Sequence, residues 1–157
     1  MIIGIDPGAN GAICSCSETG ALQIRKMPET PKDIYLYLLS LADTCERCVC
    51  YLEDVGHGLP NQSSSATAKF ARHNGHLEMA LIALGVRTIK VTPQKWQKHY
   101  SNTIGKSTGV PKNEWKNKLK ALAQDLFPDE KVTLGNADAL LIMEYAKANE
   151  KNDKDKQ

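Results

Sequence analysis

The first eleven residues constrain the fold more than any other stretch of the chain. A short, almost wholly apolar run from Ile2 to Ile5 ends in a carboxylate, Asp6, and a Pro7-Gly8 turn follows at once. A run this short, bounded by a turn signal, is typical of a buried β-strand. Asp6 would then end a core strand, where an uncompensated charge is costly. A metal ion, a helix N-terminus or a basic side chain could compensate it; the simpler alternative is an aspartate that caps its own turn.

The rest of the pattern predicts an α/β protein. Two more short strands follow the first through tight turns and complete an antiparallel meander. Strand and helix patterns then alternate, which indicates parallel crossovers. We therefore expect a five-stranded mixed sheet, with a three-strand antiparallel meander plus two parallel strands, flanked by helices. The predicted strands cover 2–6, 11–17, 21–27, 47–55 and 86–91. A first helix is predicted to begin at Pro31, and four more cover 65–84, 92–96, 111–127 and 135–149. Loops are predicted over 56–65 and 102–110.

A second carboxylate, Glu53, lies near the end of the predicted strand over 47–55. If this strand pairs in parallel with the first, Asp6 and Glu53 end side by side, because adjacent strands lie about 4.8 Å apart. Two carboxylates at that separation repel each other unless a cation lies between them. Oxygen-only ligands favour Mg²⁺ or Mn²⁺ over zinc.

A third carboxylate, Asp138, lies in the first turn of the very apolar last helix. Favourable interaction with the helix macrodipole is sufficient to explain an aspartate there, so this residue alone does not indicate a site. Glu144 lies six positions further on, about 240° around the helix axis. We therefore expect Glu144 to face away from Asp138.

Basic side chains are concentrated in one third of the chain. Residues 87–120 carry 9 lysines and arginines and one acid, net +8, whereas the segments before and after each carry net −3. This distribution is typical of a face that binds a polyanion. A solvated, lysine-rich helix surface is the alternative.

Cysteine usage and hydropathy indicate an intracellular protein. No apolar run approaches the roughly 20 residues of a membrane span, and no secretory signal is visible. Of the five cysteines, Cys45, Cys48 and Cys50 form a cluster that lacks the second pair of a typical zinc site. We expect reduced, buried thiols, with structural zinc at this cluster as the alternative.

Four short motifs in order resemble one family. Gly4-Ile5-Asp6-Pro7-Gly8, Leu52-Glu53, Val91-Thr92-Pro93 and Ala137-Asp138-Ala139-Leu140 are similar to those of the RuvC-type Holliday-junction resolvases, most of all the small phage-type members, across residues 1–148. The resemblance implies a ribonuclease H-like fold and a homodimeric crossover junction endodeoxyribonuclease in the cytoplasm of a bacterial or phage-infected cell. It also implies Mg²⁺ or Mn²⁺, with two ions, held by Asp6, Glu53 and Asp138 as catalytic residues. Residues 149–157 are predicted to form a charged, flexible tail.

Two positions depart from the family pattern. RuvC proper has a further aspartate three residues before the one that matches Asp138, where this chain has Gly135. It also has an aromatic wedge three residues beyond its glutamate, where this chain has Gly56 followed by His57. The missing acid leaves three carboxylates for the metal ions, and the missing wedge indicates an altered or broader choice of branched DNA, including flaps and forks.

The basic segment supplies the predicted DNA contacts. Lysines there would neutralise the phosphates of the DNA arms, and Lys112 or Lys116 could also offset charge in the transition state. A non-catalytic branched-DNA-binding relative is one alternative, because of Gly135. A nucleotide-binding ATPase of the actin and sugar-kinase type is another, although the chain is too short for its second lobe. The predicted DNA-binding residues are Lys95, Lys98, Lys106, Lys112, Lys116 and His57.

Overall fold

A computed structural model describes residues 1–56 and 63–154. Within these ranges the chain forms a five-stranded sheet with helices on both faces. The strands are β1 (Ile2–Asp6), β2 (Ala12–Cys16), β3 (Leu22–Lys26), β4 (Val49–Glu53) and β5 (Arg87–Val91). The helices are α1 (Pro31–Ala42), α2 (Ser64–Ala83), α3 (Pro93–His99), α4 (Ser101–Ile104), α5 (Lys112–Leu126) and α6 (Ala137–Lys154).

The sheet has the mixed topology that the sequence predicts. Its strand order is β3-β2-β1-β4-β5, with β1 to β3 antiparallel and with β4 parallel to both β1 and β5. The first parallel pair aligns Ile5 with Leu52, so that Asp6 and Glu53 are the next residues on neighbouring strands. The prediction that these two carboxylates end side by side is confirmed at the level of strand register.

Alternation along the strands divides the core between the two faces of the sheet. On one face, Ile3 and Ile5 of β1 and Leu52 of β4 pack against α1 and α2. On the other face, Tyr51 of β4 and Ala12 of β2 pack against the apolar side of α6 and the buried side of α5. The same alternation directs Asp6 and Glu53 toward the α6 face, and it directs Asp54 toward the α1/α2 face.

Helix α6 lies directly against β1 because the strand has a glycine at the contact. A Cβ atom built on Gly4 would overlap the backbone of α6 at Ala139 and Met143. Only glycine allows this approach without displacing the helix. The close packing fixes the first turn of α6, which carries Asp138, over the strand that ends in Asp6.

Two indole hydrogen bonds tie the short α3 to its surroundings. Trp96 Nε1 donates to Glu53 Oε1 at 2.8 Å, and Trp115 Nε1 of α5 donates to Gln97 Oε1 at 3.0 Å. Tyr100, at the end of α3, donates its hydroxyl to the Leu141 carbonyl of α6 at 2.6 Å. The region between β5 and α6 is therefore anchored to both β4 and α6.

Three sequence-based expectations need correction or restriction. Helix α6 continues to Lys154, past the predicted end at residue 149, because Glu150 accepts hydrogen bonds from Tyr51 and Arg87. A short helix, α4, begins just before the predicted loop over 102–110. Of the predicted loop over 56–65, residues 57–62 lie outside the described part of the chain, and α2 begins at Ser64.

The prediction of reduced thiols is wrong for one cysteine pair. Cys45 and Cys48 form a disulfide in the turn between α1 and β4, with their Cα atoms 6.2 Å apart. A C-x2-C spacing permits this distance in a tight turn, and the compartment argument alone could not exclude it. Cys14, Cys16 and Cys50 are free and buried, as expected. With two of its sulfurs bonded to each other, the cluster no longer offers a zinc site.

No helix in the described ranges combines the length and the apolarity that crossing a membrane requires.

Candidate active site

Three carboxyl groups from three separate elements face the same region of the molecule. Asp6 ends β1, Glu53 ends β4, and Asp138 lies in the first turn of α6. Glu53 is only 7% exposed, and the other two side chains are partly buried. The strand register brings the first two together, and the Gly4 contact brings α6 over them.

The carboxyl groups of Asp6 and Glu53 interact directly. Burial raises the pKa of Asp6, and the charges of Glu53 and Asp138 raise it further, to about 8. Burial also raises the pKa of Glu53, to about 7. Because the two buried carboxyls act on each other, they titrate as a pair, and their raised pKa values mean that the pair retains a proton to higher pH than separate carboxyls would. A cation between the two groups would relieve the repulsion that favours this proton.

Lys116 of α5 is the basic residue whose positive charge lowers the pKa of all three carboxyl groups. Burial raises the pKa of Asp138, and the ammonium group of Lys116 opposes that rise. The same ammonium also lowers the pKa of Asp6 and of Glu53. No salt bridge within 4.0 Å joins Lys116 to these carboxyls among the described residues, so it acts across a gap.

The donor set fits a hard divalent cation. It consists of carboxylate oxygens alone, the ligands that Mg²⁺ and Mn²⁺ prefer, and its members repel one another when ionised. As they stand, no three His, Cys, Asp or Glu side chains in 1–56 and 63–154 are grouped closely enough to hold a metal ion. Metal binding there would require these side chains to adjust, and the cation would then offset the repulsion that raises their pKa values.

The position of the fourth family acid is closed by backbone packing. A Cβ atom on Gly135 would lie 2.9 Å from the carbonyl oxygen of Asn10, in the turn between β1 and β2. An aspartate at this position would therefore displace that turn. Gly11, in the same turn, has no room for a Cβ atom beside the Asp6 backbone. Gly135 thus lets the chain before α6 pack against the β1–β2 turn, at the expense of a further ligand, and Gly11 lets that turn close on Asp6.

The remaining acids near these elements have other roles. Glu144 pairs with Lys147 at 2.7 Å along α6, consistent with the prediction that it faces away from Asp138. The backbone N–H of Asp54 donates to the Val91 carbonyl, and its side chain lies on the opposite face from Glu53. The three predicted carboxylates are thus the acids that the fold directs toward one another.

The predicted DNA-binding lysines are exposed, and none of them takes part in a salt bridge within the described ranges. By contrast, Lys90 pairs with Glu78 at 2.7 Å and Lys118 with Glu114 at 3.6 Å. His57 lies outside the described residues. We call the five predicted lysines in the described ranges the free lysines: Lys95 and Lys98 on α3, Lys106 in the following loop, and Lys112 and Lys116 on α5.

Sequence reasoning missed the hydrogen bond from Trp96 to Glu53. Trp96 is fully buried. A buried indole N–H usually finds an acceptor, and Trp96 follows the strand that pairs with Glu53. The sequence therefore indicates that Trp96 needs an acceptor but does not identify Glu53, because only the fold places α3 beside the end of β4.

Comparison with known structures identifies the fold. Thermus thermophilus RuvC superimposes with a TM-score of 0.62 at 16% sequence identity, covering 98% of this chain and 97% of that chain. The structure of T. thermophilus RuvC in complex with a Holliday junction substrate superimposes with the same TM-score at 14% identity, covering 96% of this chain and 94% of that chain. No protein-family model matches the chain, and no curated protein matches it. The protein therefore has a RuvC-like, ribonuclease H-like fold.

Proposed function

We propose that this protein is a metal-dependent, structure-selective endodeoxyribonuclease that hydrolyses phosphodiesters in four-way (Holliday) or other branched DNA. The observation that carries the proposal is the convergence of Asp6, Glu53 and Asp138 from β1, β4 and α6, with pKa values raised by burial and, for Asp6 and Glu53, by the neighbouring carboxyl charges. Strongly perturbed carboxyls that face one another are typical of functional sites. The fold shared with RuvC supports the same assignment.

The three carboxylates act together in the proposed reaction. Asp6, Glu53 and Asp138 would hold the Mg²⁺ or Mn²⁺ ions, because Asp6 and Glu53 each interact with both other carboxyls of the cluster. The ions, when bound, supply Lewis-acid activation of the attacking water and stabilise the leaving 3′ oxygen. Lys116, the basic residue that opposes the rise in all three pKa values, offsets negative charge on the scissile phosphate.

The free lysines of α3 and α5 provide the DNA surface in this proposal. Lysines already engaged with acids, such as Lys90 and Lys147, have part of their charge neutralised. Exposed lysines without such partners are available to neutralise phosphates and release counterions. Lys116 belongs to this group and also influences the carboxyls, so it links the DNA surface to the reaction site.

A cleavage panel tests the proposal. Four-way junction, flap, fork and linear duplex DNA of matched length are incubated with the protein, with Mg²⁺, with Mn²⁺ or with a chelator. We expect metal-dependent nicks in branched substrates and little or none in the duplex. Equal cleavage of all substrates would remove the structural selectivity, and metal-dependent hydrolysis of ATP instead of DNA would support the ATPase alternative.

A non-catalytic branched-DNA-binding protein is the second candidate. It is favoured by the closed position at Gly135 and by the absence of a preformed group of three metal ligands in the described part of the chain. It predicts tight, selective junction binding with no cleavage at any Mg²⁺ or Mn²⁺ concentration. The same panel, read for binding as well as for nicking, separates the two candidates.

A homodimer is the proposed assembly, because symmetric cuts across a four-way junction need two active sites. Helix α2 is the proposed interface, because it exposes Met79 and Ile82, which lie three residues apart and are 59% and 69% exposed. Sedimentation at micromolar concentration should give a dimer. A monomer that still cuts junctions symmetrically would contradict this assembly.

A further inference from the structure

Trp96 is the only described side chain that donates a nitrogen-borne hydrogen bond to a carboxyl of the candidate site. Its indole Nε1 lies 2.8 Å from Glu53 Oε1, and both side chains are buried. The bond joins the start of α3 to the end of β4. Because Glu53 pairs in register with Val91, the last residue of β5, α3 begins beside the carboxylate that it contacts.

The bond restricts what Glu53 can do. One carboxylate oxygen accepts from a fully buried ring that cannot move without disturbing the core. The ring is itself held by an edge-to-face contact with Tyr100, with centroids 6.4 Å apart. The bond therefore restricts the orientation of the carboxylate and engages one of its two oxygens.

We propose that Trp96 is a positioning residue that orients Glu53 for divalent-cation binding, and that its indole reports the occupancy of the site. The inference rests on the proposed function, since it concerns the same cation. Hydrogen bonds to the outer oxygen of a metal ligand fix its orientation, and their loss typically weakens metal affinity about 10- to 100-fold.

The chain carries its own control for this inference. It has two tryptophans, and Trp115 makes a similar bond, at 3.0 Å, to the neutral amide of Gln97 instead of a carboxylate. Both indoles are buried and lie in the same core cluster. If the two rings serve packing alone, replacing either one should have a similar effect on cation affinity. If Trp96 positions Glu53, only its replacement should weaken cation binding.

The test is a metal titration of the full chain without DNA. Ca²⁺ and Mg²⁺ are added to the wild-type protein, to Trp96→Phe and to Trp115→Phe, with calorimetry for affinity and intrinsic fluorescence for the indoles. Phenylalanine keeps an aromatic ring at either position and removes the N–H donor. Circular dichroism and urea unfolding compare the folded state of the variants.

We expect Trp115→Phe to bind the ions like the wild-type protein and to keep a metal-dependent change in emission, which then comes from Trp96 alone. Trp96→Phe should bind about 10- to 100-fold more weakly and lose that change. Wild-type affinity in a folded Trp96→Phe variant would overturn the inference.

The design also covers a variant that fails to fold. Trp115→Phe leaves Trp96 and Glu53 unaltered, and an emission spectrum of this variant that does not respond to saturating ions would overturn the inference by itself. A wild-type protein that neither binds ions nor cuts DNA would overturn the proposed function together with the inference. A wild-type protein that cuts normally while Trp96→Phe keeps its ion affinity would remove the inference alone.

Discussion

The two faces of the sheet use the same strands for different purposes. On the α1/α2 face, the inward residues are apolar, as with Ile5 and Leu52, and the core there contributes stability. On the α6 face, the neighbouring residues Asp6 and Glu53 are carboxyls whose burial raises their pKa values, so they weaken the metal-free fold at neutral pH. In each strand, adjacent residues therefore have different roles: Ile5 and Leu52 stabilise the protein, and Asp6 and Glu53 serve the proposed chemistry.

The largest expected effect on stability concerns the apolar face. Leu38 of α1 is fully buried between the helices and the sheet. Leu38→Ala should lower the free energy of unfolding by about 2 to 5 kcal/mol, since it removes apolar contacts and leaves a cavity. Urea unfolding measures this loss. Because the site lies on the other face, cleavage per folded molecule should be preserved, and a parallel loss of both would break the separation of the faces.

On the α6 face, Gly4→Ala should lower stability less than Leu38→Ala does but should reduce junction cleavage more. Gly4→Ala places a methyl group against the α6 backbone and should cost about 1 to 3 kcal/mol. The displacement moves the first turn of α6, which carries Asp138. Junction cleavage by the folded fraction should therefore fall well below that of Leu38→Ala. Equal activities of the two variants at matched folded fraction would mean that the approach of α6 to β1 does not position the site.

The fold could be predicted much further than the site. The mixed five-stranded sheet, with an antiparallel meander and two parallel strands, follows from the strand pattern and the crossovers, and the structure confirms it. The parallel pairing of β1 with β4, on which the proximity of Asp6 to Glu53 depends, is only a condition in the sequence-based prediction, and the structure meets it. The buried bond from Trp96 to Glu53 and the packing of Gly135 on Asn10 depend on tertiary contacts that no local pattern encodes. The disulfide between Cys45 and Cys48 was not predicted for a related reason. It depends on the geometry of one turn, whereas the expectation of reduced thiols came from a general rule about intracellular proteins.

Removing a site carboxylate should stabilise the metal-free protein. The pKa of Asp6 is raised from 3.8 to about 8, so the folded state keeps a proton that the unfolded chain has lost. The stability that this group contributes is full below about pH 4 and is lost as the pH rises toward 8. Asp6→Asn should therefore gain about 1 to 2 kcal/mol over the wild type at pH 8 and less at pH 5.

Urea unfolding in metal-free buffer at the two pH values measures this gain. Asp54→Asn, one residue from Glu53 on the opposite face, is the matched control and should show no comparable gain. Saturating Mg²⁺ should reduce the advantage of Asp6→Asn, because the cation stabilises only the wild-type cluster. An advantage that shrinks as the pH rises would contradict the direction of the Asp6 pKa shift.

The smallest expected effect concerns the DNA surface beside the α6 face. Replacing Lys112 and Lys116 by Gln should weaken junction binding and reduce the slope of log affinity against log salt by about two. Replacing Lys90 and Lys147, which are paired with Glu78 and Glu144, removes the same charge as a control. Binding isotherms between low and moderate salt measure both slopes. If the two double variants have equal slopes, the free lysines of α5 do not contact phosphate.

Cleavage of a four-way junction by Asp6→Asn and Asp54→Asn, compared in Mg²⁺ with junction binding measured alongside, tests the central claim most directly. Asp6→Asn should bind the junction and lose cleavage by at least about 10²- to 10³-fold, as expected for loss of an electrostatic group at the reacting centre, while Asp54→Asn should cut like the wild-type protein. Cleavage by Asp6→Asn at the wild-type rate would contradict the account, because a carboxyl group of the proposed cation site would then have no part in the reaction.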